Sequence, residues 1–309
     1  MMTLTLNPCI DKTIEVDKLT PYGLNRAEKT RTDIGGKGIN VSKVLKNSNE
    51  NIKTCAILGE NNSDIFLKYF EENDFKSFIC MAKGESRTNL KIVDKSCKKT
   101  TELNESGFFV DKNTLNSFLK CFEKALEISK ILILSGSIPK GIDNNIYKLL
   151  IETARKRSII SVLDADGSCF KNGIEAKPYA IKPNLYELET YFGKNIKSKN
   201  DIITHSLKLI DKGIKIVLVS LGEDGAIITD KNESYYAKPF PCNVQSTVGA
   251  GDSMTAILSW CIVNNNSLKD TLQLAITAGT LTACKKGTQL CEFDEIFLNK
   301  DKVNVYKIR

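Results

Sequence analysis

The sequence predicts an α/β fold, with a mostly parallel central sheet between helix layers and a small β-sheet lid. Three observations carry that expectation. Apolar runs alternate with stretches of helical periodicity in βαβα order, which builds parallel sheets covered by helices. Several of the runs are continuously apolar, the pattern of strands buried on both faces. Two stretches break the rhythm with short polar–apolar alternation and no intervening helix, the pattern of a second, half-exposed sheet.

Taken in order, strands are expected at 3–6, 53–58, 131–135, 159–164, 179–182 and 214–220. Helices are expected at 37–46, 64–72, 113–128, 144–156, 184–191 and 202–212. The alternating segments 13–16 and 26–32 form one insertion, and 88–93 with 100–103 a second. These insertions, about 12–33 and 87–106, make the lid of one domain spanning 1–309. In the C-terminal third, 253–260 and 268–284 read as consecutive helices. Small residues in the second, Ala275, Ala278 and Gly279, permit close helix packing or close approach of a ligand; Gly279 is assigned to the nucleotide side.

Composition narrows the function. The chain has 309 residues, 41% hydrophobic and 26% charged, which is ordinary for a globular protein. No apolar run is long enough to span a bilayer, and the start lacks a basic, then apolar leader, so a cytoplasmic protein is expected. The ten cysteines show no Cys-x-x-Cys spacing, so no zinc or redox motif is visible. His205 is the only histidine, which excludes a multi-histidine metal site. The formal net charge of +7 is scattered. It forms no basic stripe interleaved with aromatics, so no nucleic-acid partner is expected. Small anionic substrates suit a positive bias equally well.

Four motifs carry chemistry. In Thr247-Val248-Gly249-Ala250-Gly251-Asp252-Ser253, glycines precede an aspartate at the start of an apolar helix. Glycines let backbone N–H groups approach a ligand, and a helix N-terminus adds donors and a positive dipole, together an anion hole. Asp252 is then placed to take a proton from an acceptor hydroxyl beside a phosphoryl group. A glycine turn with Asp252 as a helix cap accounts for the same residues. Ile34-Gly35-Gly36-Lys37-Gly38-Ile39-Asn40 is not a Walker loop, because Gly38 follows Lys37 where Ser or Thr belongs. Lys37 could reach a phosphate and Asn40 sugar hydroxyls, or the glycines could simply turn the chain into a helix. In Lys182-Pro183-Asn184-Leu185-Tyr186-Glu187, Lys182 and Asn184 project from a strand's carboxyl end. Glu187 could hold Mg²⁺ through water; a capping box of Asn184 with Glu187 is sufficient by itself. In Ser220-Leu221-Gly222-Glu223-Asp224-Gly225, a nucleotide could lie over the glycine turn, which is also an ordinary β-turn.

These four motifs in this order resemble the ribokinase-type carbohydrate kinases, the PfkB family, from Leu6-Asn7-Pro8-Cys9-Ile10-Asp11 to Gly287-Thr288-Gln289-Leu290. The resemblance implies a Rossmann-like ribokinase fold, a lid that can dimerise two copies, and ATP with Mg²⁺. It implies Asp252 as the base and Gly249, Ala250 and Gly251 as the anion hole. It places Asp11, Gly36, Lys37, Asn40, Asn89 and Ser137 on the sugar, and Arg26 with Arg87 as a clamp on a phosphate already present. Lys182, Asn184, Glu187, Ser220, Gly222 and Gly225 fall on the nucleotide–Mg²⁺ side. Related kinases use a monovalent cation, which implies K⁺ held by the backbone carbonyls of Ser246, Val248, Lys285 and Gly287. The segments Gly84-Glu85-Ser86-Arg87-Thr88-Asn89 and Ser135-Gly136-Ser137 are similar to the hexose-phosphate kinases. Gly36-Lys37-Gly38 and Thr101-Glu102-Leu103-Asn104-Glu105 are similar to 1-phosphofructokinases, so fructose 1-phosphate is the expected substrate. Tagatose-6-phosphate kinases share the lysine-containing glycine loop. Gln245-Ser246-Thr247-Val248-Gly249 is similar to the minor type of 6-phosphofructokinase. A dehydrogenase is disfavoured, since Asn7-Pro8-Cys9-Ile10-Asp11 follows the first strand in place of Gly-x-Gly-x-x-Gly. A non-catalytic sensor would have no use for Asp252 and Glu187.

Overall fold

A computed structural model describes residues 1–97 and 99–309. The chain opens with β1 (Met2–Thr5), β2 (Cys9–Val16), β3 (Lys29–Gly35) and α1 (Lys37–Leu45). There follow β4 (Lys53–Gly59), α2 (Asp64–Glu72), β5 (Lys76–Ala82), β6 (Arg87–Asp94), β7 (Lys99–Asn104) and α3 (Lys112–Glu127). The alternation continues through β8 (Ile131–Ser135), α4 (Ile146–Lys156), β9 (Ile160–Asp164), α5 (Gly167–Glu175) and β10 (Ala180–Ile181). After α6 (Leu185–Phe192), α7 (Lys199–Asp211) and β11 (Ile216–Ser220) comes an antiparallel pair, β12 (Ala226–Thr229) and β13 (Ser234–Ala237). The chain ends with α8 (Ala250–Val263), α9 (Leu268–Ala283), α10 (Phe293–Asn299) and β14 (Val305–Lys307).

The main sheet has ten strands in the order β14-β13-β12-β11-β10-β9-β8-β1-β4-β5. From β11 to β5 every pairing is parallel. β12, β13 and β14 run antiparallel at one edge. The strands at the centre are buried along their whole length. A large apolar cluster lies on each face of the sheet, as the continuously apolar sequences require. Gly38 shows how tightly one helix is seated: a Cβ there would lie 2.2 Å from the Leu4 carbonyl oxygen, so α1 rests directly on β1.

The small sheet has the order β3-β2-β6-β7, with β2 and β6 parallel and the outer pairs antiparallel. It takes in residues from Cys9 to Gly35, slightly beyond the expected 12–33. Both of its hairpins are inserted after parallel strands of the main sheet, one after β1 and one after β5. Its outer strand β7 is exposed along its length. Among the described residues no helix is long and apolar enough to cross a membrane. His205 is half-buried, its ring edge-on to Phe192 at 4.6 Å, so it packs α7 against the end of α6.

Candidate active site

The carboxyl ends of β1, β8, β9 and β10 open toward the first turns of α1 and α8, where an α/β sheet presents ligands. Gly249, with φ of 80°, caps α8 in the left-handed region. A side chain there would be excluded on two counts, since a Cβ would also lie 2.3 Å from Leu290. Asp252 follows within the first helical turn, 7% exposed. Asn40 of α1 donates its Nδ2–H to Asp252 Oδ2 at 2.8 Å. Burial pushes the Asp252 carboxyl up to about 6, and the negative charge of Asp164 adds to the rise against Lys37 and Asn40. A buried carboxyl with a raised pKa beside an anion-binding helix end has the character of a general base.

Asp164 ends β9 and is fully enclosed. Lys37 Nζ lies 3.6 Å from its Oδ1 and Lys182 Nζ lies 3.4 Å from its Oδ2. Thr255 of α8 donates its hydroxyl to the same Oδ2 at 2.6 Å. Burial alone would raise this carboxyl, but the two ammonium groups and the hydroxyl hold it below its ordinary value. In turn Asp164 raises the Lys37 ammonium's pKa. One carboxylate therefore ties the glycine loop, the Lys182 strand end and α8 into one charged cluster. A Cβ on Gly251 would lie 3.4 Å from Lys182 Nζ, so this cation sits against the first turn of α8.

Asp164 went unread in the sequence. The signal available was an acidic residue closing the apolar run of 160–164, at the edge of the sheet where ligands bind. Asp166 was missed too. With Gly167, Ser168, Tyr186 and Glu187 it lines a cavity of about 510 Å³ between α5 and α6.

Among the residues expected on the nucleotide side, Asn184 and Glu187 form a capping box at the start of α6: Asn184 Oδ1 accepts from Glu187 N at 2.7 Å and Glu187 Oε2 from Asn184 N at 2.8 Å. Burial raises the Glu187 carboxyl's pKa. Ser220 bridges to Asn184, and Gly222 and Gly225 form the turn beyond it. Gly225 (φ 92°) has no room for a side chain, since a Cβ would fall 1.9 Å from the Ala237 oxygen. Gly279 faces α8, where a Cβ would touch Met254 at 3.1 Å, so its small size permits close helix packing. The segments bearing Ser246, Val248, Lys285 and Gly287 lie side by side, because Gln245 N and Ser246 N both donate to the Ala283 oxygen.

Among the residues expected on the sugar side, Asp11 is 5% exposed and accepts from Asn89 Nδ2 at 3.2 Å. Arg87 donates from Nε and Nη2 to the Asn7 oxygen at 3.3 Å each, and Asn7 Nδ2 donates to Ser137 Oγ at 3.5 Å. Arg26 is not brought to this group. Arg87 pairs with Cys9 at the base of the small sheet, while Arg26 is exposed beyond the Glu15–Lys29 pair at its far end. Six residues of strand separate the two ends, about 20 Å. The two residues of the expected clamp thus lie toward opposite ends of the small sheet.

The profile of the pfkB family carbohydrate kinases matches residues 4–295. The chain belongs to the pfkB family of carbohydrate kinases. The kinase is 31% identical over 301 residues to the 1-phosphofructokinase of Bacillus subtilis (strain 168), covering 97% of this chain and 98% of that protein. It is 32% identical over 295 residues to the 1-phosphofructokinase of Borreliella burgdorferi, covering 95% and 94%. Among solved structures it resembles phosphofructokinase-2 from Escherichia coli in complex with potassium, with a TM-score of 0.91 at 26% identity over 97% of this chain and 98% of that one. That E. coli enzyme has also been solved in a tetrameric inhibited form, with a TM-score of 0.88 at 25% identity over 97% of each chain. As a member of this family the kinase uses ATP to phosphorylate a sugar.

Proposed function

We propose that this kinase phosphorylates fructose 1-phosphate at its 6-hydroxyl, giving fructose 1,6-bisphosphate and ADP. The observation that carries the chemistry is Asp252, buried at the head of α8 and held by Asn40. The choice of sugar rests on relatives of nearly full length that bear the name 1-phosphofructokinase.

Asp252 takes the proton of the 6-hydroxyl as the γ-phosphoryl group arrives. The amides of Gly249, Ala250 and Gly251 absorb the developing charge, with Lys37 and Lys182 beside them. Asp11, Gly36, Asn40 and Asn89 hold sugar hydroxyls. Arg87 and Ser137 hold the existing phosphate. Lys182, Asn184, Ser220, Gly222 and Gly225 line the nucleotide. Closure of the small sheet over the sugar excludes water and suppresses ATP hydrolysis.

Glu187 and Asp166 bring two carboxylates to one cavity, a donor set that fits Mg²⁺. Among the described residues no group of three acidic, histidine or cysteine side chains could hold a metal alone. That suits an ion that keeps waters and shares the nucleotide's phosphates. Mg²⁺ there would neutralise phosphate charge. The adjacent carbonyl-bearing segments at 246–248 and 285–287 suit K⁺, an oxygen-seeking cation.

Comparing kcat/KM on fructose 1-phosphate, fructose 6-phosphate and tagatose 6-phosphate tests the reading, with fructose 1-phosphate expected to lead. The same assay in tetramethylammonium salt should run more slowly than in potassium. A preference for unphosphorylated fructose would sink the phosphate assignment, and equal rates in both salts the K⁺ site.

The small sheet also pairs two copies in this proposal. Ile14 and Ile92 are half-exposed and Leu103 is exposed, an apolar surface too large for so small a sheet to leave bare. Sedimentation should give a dimer at micromolar concentration; a monomer would remove it.

A further inference from the structure

A second buried charge pair lies in the small sheet, apart from the Asp164 cluster. Lys91 Nζ stands 3.5 Å from Asp11 Oδ1, and the side chains are 8% and 7% exposed. Asp11 is paired with Asn89 and Thr13 with Lys91 in the β2–β6 register. Side chains alternate along a strand, so these four share one face. All four are buried. The intervening residues Ile10, Ile14, Leu90 and Ile92 take the opposite face and are only half-buried. The sheet thus encloses polar groups on one side and leaves apolar groups partly open on the other, the reverse of a sheet folded only for stability.

Two features point the polar face at a ligand. Among the described residues, Thr13 Oγ1 and Asn89 Oδ1 are enclosed without a hydrogen-bond partner. Buried polar atoms are normally paired, so such orphans mark groups that a ligand completes. The Asp11 carboxylate is also divided in its duties. Oδ1 is taken by both Lys91 and Asn89 Nδ2. Oδ2 is turned to Gly35, where an added Cβ would lie 2.3 Å away. Gly35 leads directly into Gly36, Lys37 and Asn40. A neutral hydroxyl cannot itself compensate a buried carboxylate, so a cation must be supplied by the protein.

We infer that Lys91 is a positioning residue for sugar recognition: its ammonium holds Asp11 by Oδ1, so that Oδ2 is presented to a hydroxyl of the sugar phosphate. The inference rests on the hexose-phosphate kinase reading above. Lys91 acts through Asp11 and does not touch the reacting atoms. Thr13 and Asn89 complete the face with hydrogen bonds to the remaining hydroxyls.

The test is a double-mutant cycle on the full chain, with Lys91→Met, Asp11→Asn and both together, and with Lys91→Arg as the conservative variant. Lys91→Met should raise KM for fructose 1-phosphate about 10- to 100-fold, the usual worth of a charge-assisted contact. KM for ATP should stay near wild type and kcat within about threefold, the margin of a purely uniform binding loss. Lys91→Arg should recover most of the sugar affinity, which a purely volumetric role would not give. The double variant should bind sugar no worse than Asp11→Asn alone, because both changes remove one coupled unit. If Lys91→Met fails to fold, Lys91→Gln takes its place in the same cycle. A sugar KM unchanged by loss of Lys91, or losses that multiply in the double variant, would overturn the inference. If wild type prefers fructose 6-phosphate or tagatose 6-phosphate, the substrate named above is wrong. The cycle is then run on the preferred sugar, where a raised KM supports Lys91 as a positioning residue and an unchanged KM overturns it.

Discussion

Asp252→Asn should lower kcat by about 10²–10⁴, the usual share of a general base, with substrate KM little changed. The amide keeps the shape of the carboxylate and can still accept from Asn40, so the loss isolates proton removal. The pH profile should agree. A base works when ionised, so wild-type kcat/KM should fall as pH drops through about 6, where burial has placed this carboxyl. The same shift bears on stability. Because the folded-state pKa lies above the ordinary 3.8, the folded protein binds the extra proton between those values. Stability therefore falls as pH rises through that window, and at neutral pH the buried charge costs about 3 kcal/mol at most. The asparagine variant should melt a few degrees higher than wild type at pH 7.5. That gap should narrow toward pH 4. Near-normal turnover in the variant would remove Asp252 from the mechanism.

Asp164→Ala should be the most damaging single change to the fold around the site. It strips the shared counter-ion from Lys37 and Lys182 and the acceptor from Thr255. Lys37 is 36% exposed and can turn to water, whereas Lys182 is 6% exposed and cannot. Removing one partner of a buried pair costs about 3–5 kcal/mol, so the melting temperature should drop by about 10 °C. A second effect separates this from plain destabilisation. Asp164 helps to raise the Asp252 carboxyl, so its loss should move the acid limb of any residual activity to lower pH. Adding Lys182→Met should restore part of the stability, since it removes the stranded charge. A variant melting within about 2 °C of wild type would show that the cluster is not a structural tie.

Where the sequence could be read, the reasons are local. The run Ile-Leu-Ile-Leu-Ser at β8 and the periodic α2 have the expected bounds, 131–135 and 64–72. The α/β class followed from such runs, and the βαβ rhythm gave the parallel centre. That rhythm could not foresee the antiparallel edge, where β12 and β13 follow β11 through short turns and β14 joins β13 only after α8, α9 and α10. β5 escaped because it is an edge strand with Lys76 and Ser77 exposed. α5 escaped because it carries Gly167 and Gly173, poor helix formers. Gly173 is there because Leu163 leaves no space, with a Cβ at 2.7 Å. Individual site residues were legible as motifs, but their meetings were not. Asn40 reaches Asp252, and Asp164 joins Lys37 to Lys182, only after distant strands have paired. Arg26 and Arg87 show the converse: residues grouped by resemblance were parted by strand register.

The placement of the two small-sheet hairpins has a further consequence. They leave the main sheet after β1 and β5, both early in the chain, whereas Asp164, Lys182 and Asp252 all come later. Under the proposed reaction, the region that chooses the acceptor and the region that performs the transfer are written in largely separate stretches of the gene. Under that reading, a change of sugar would fall largely on the two small-sheet hairpins, and a change of phosphoryl chemistry on the later strands and α8.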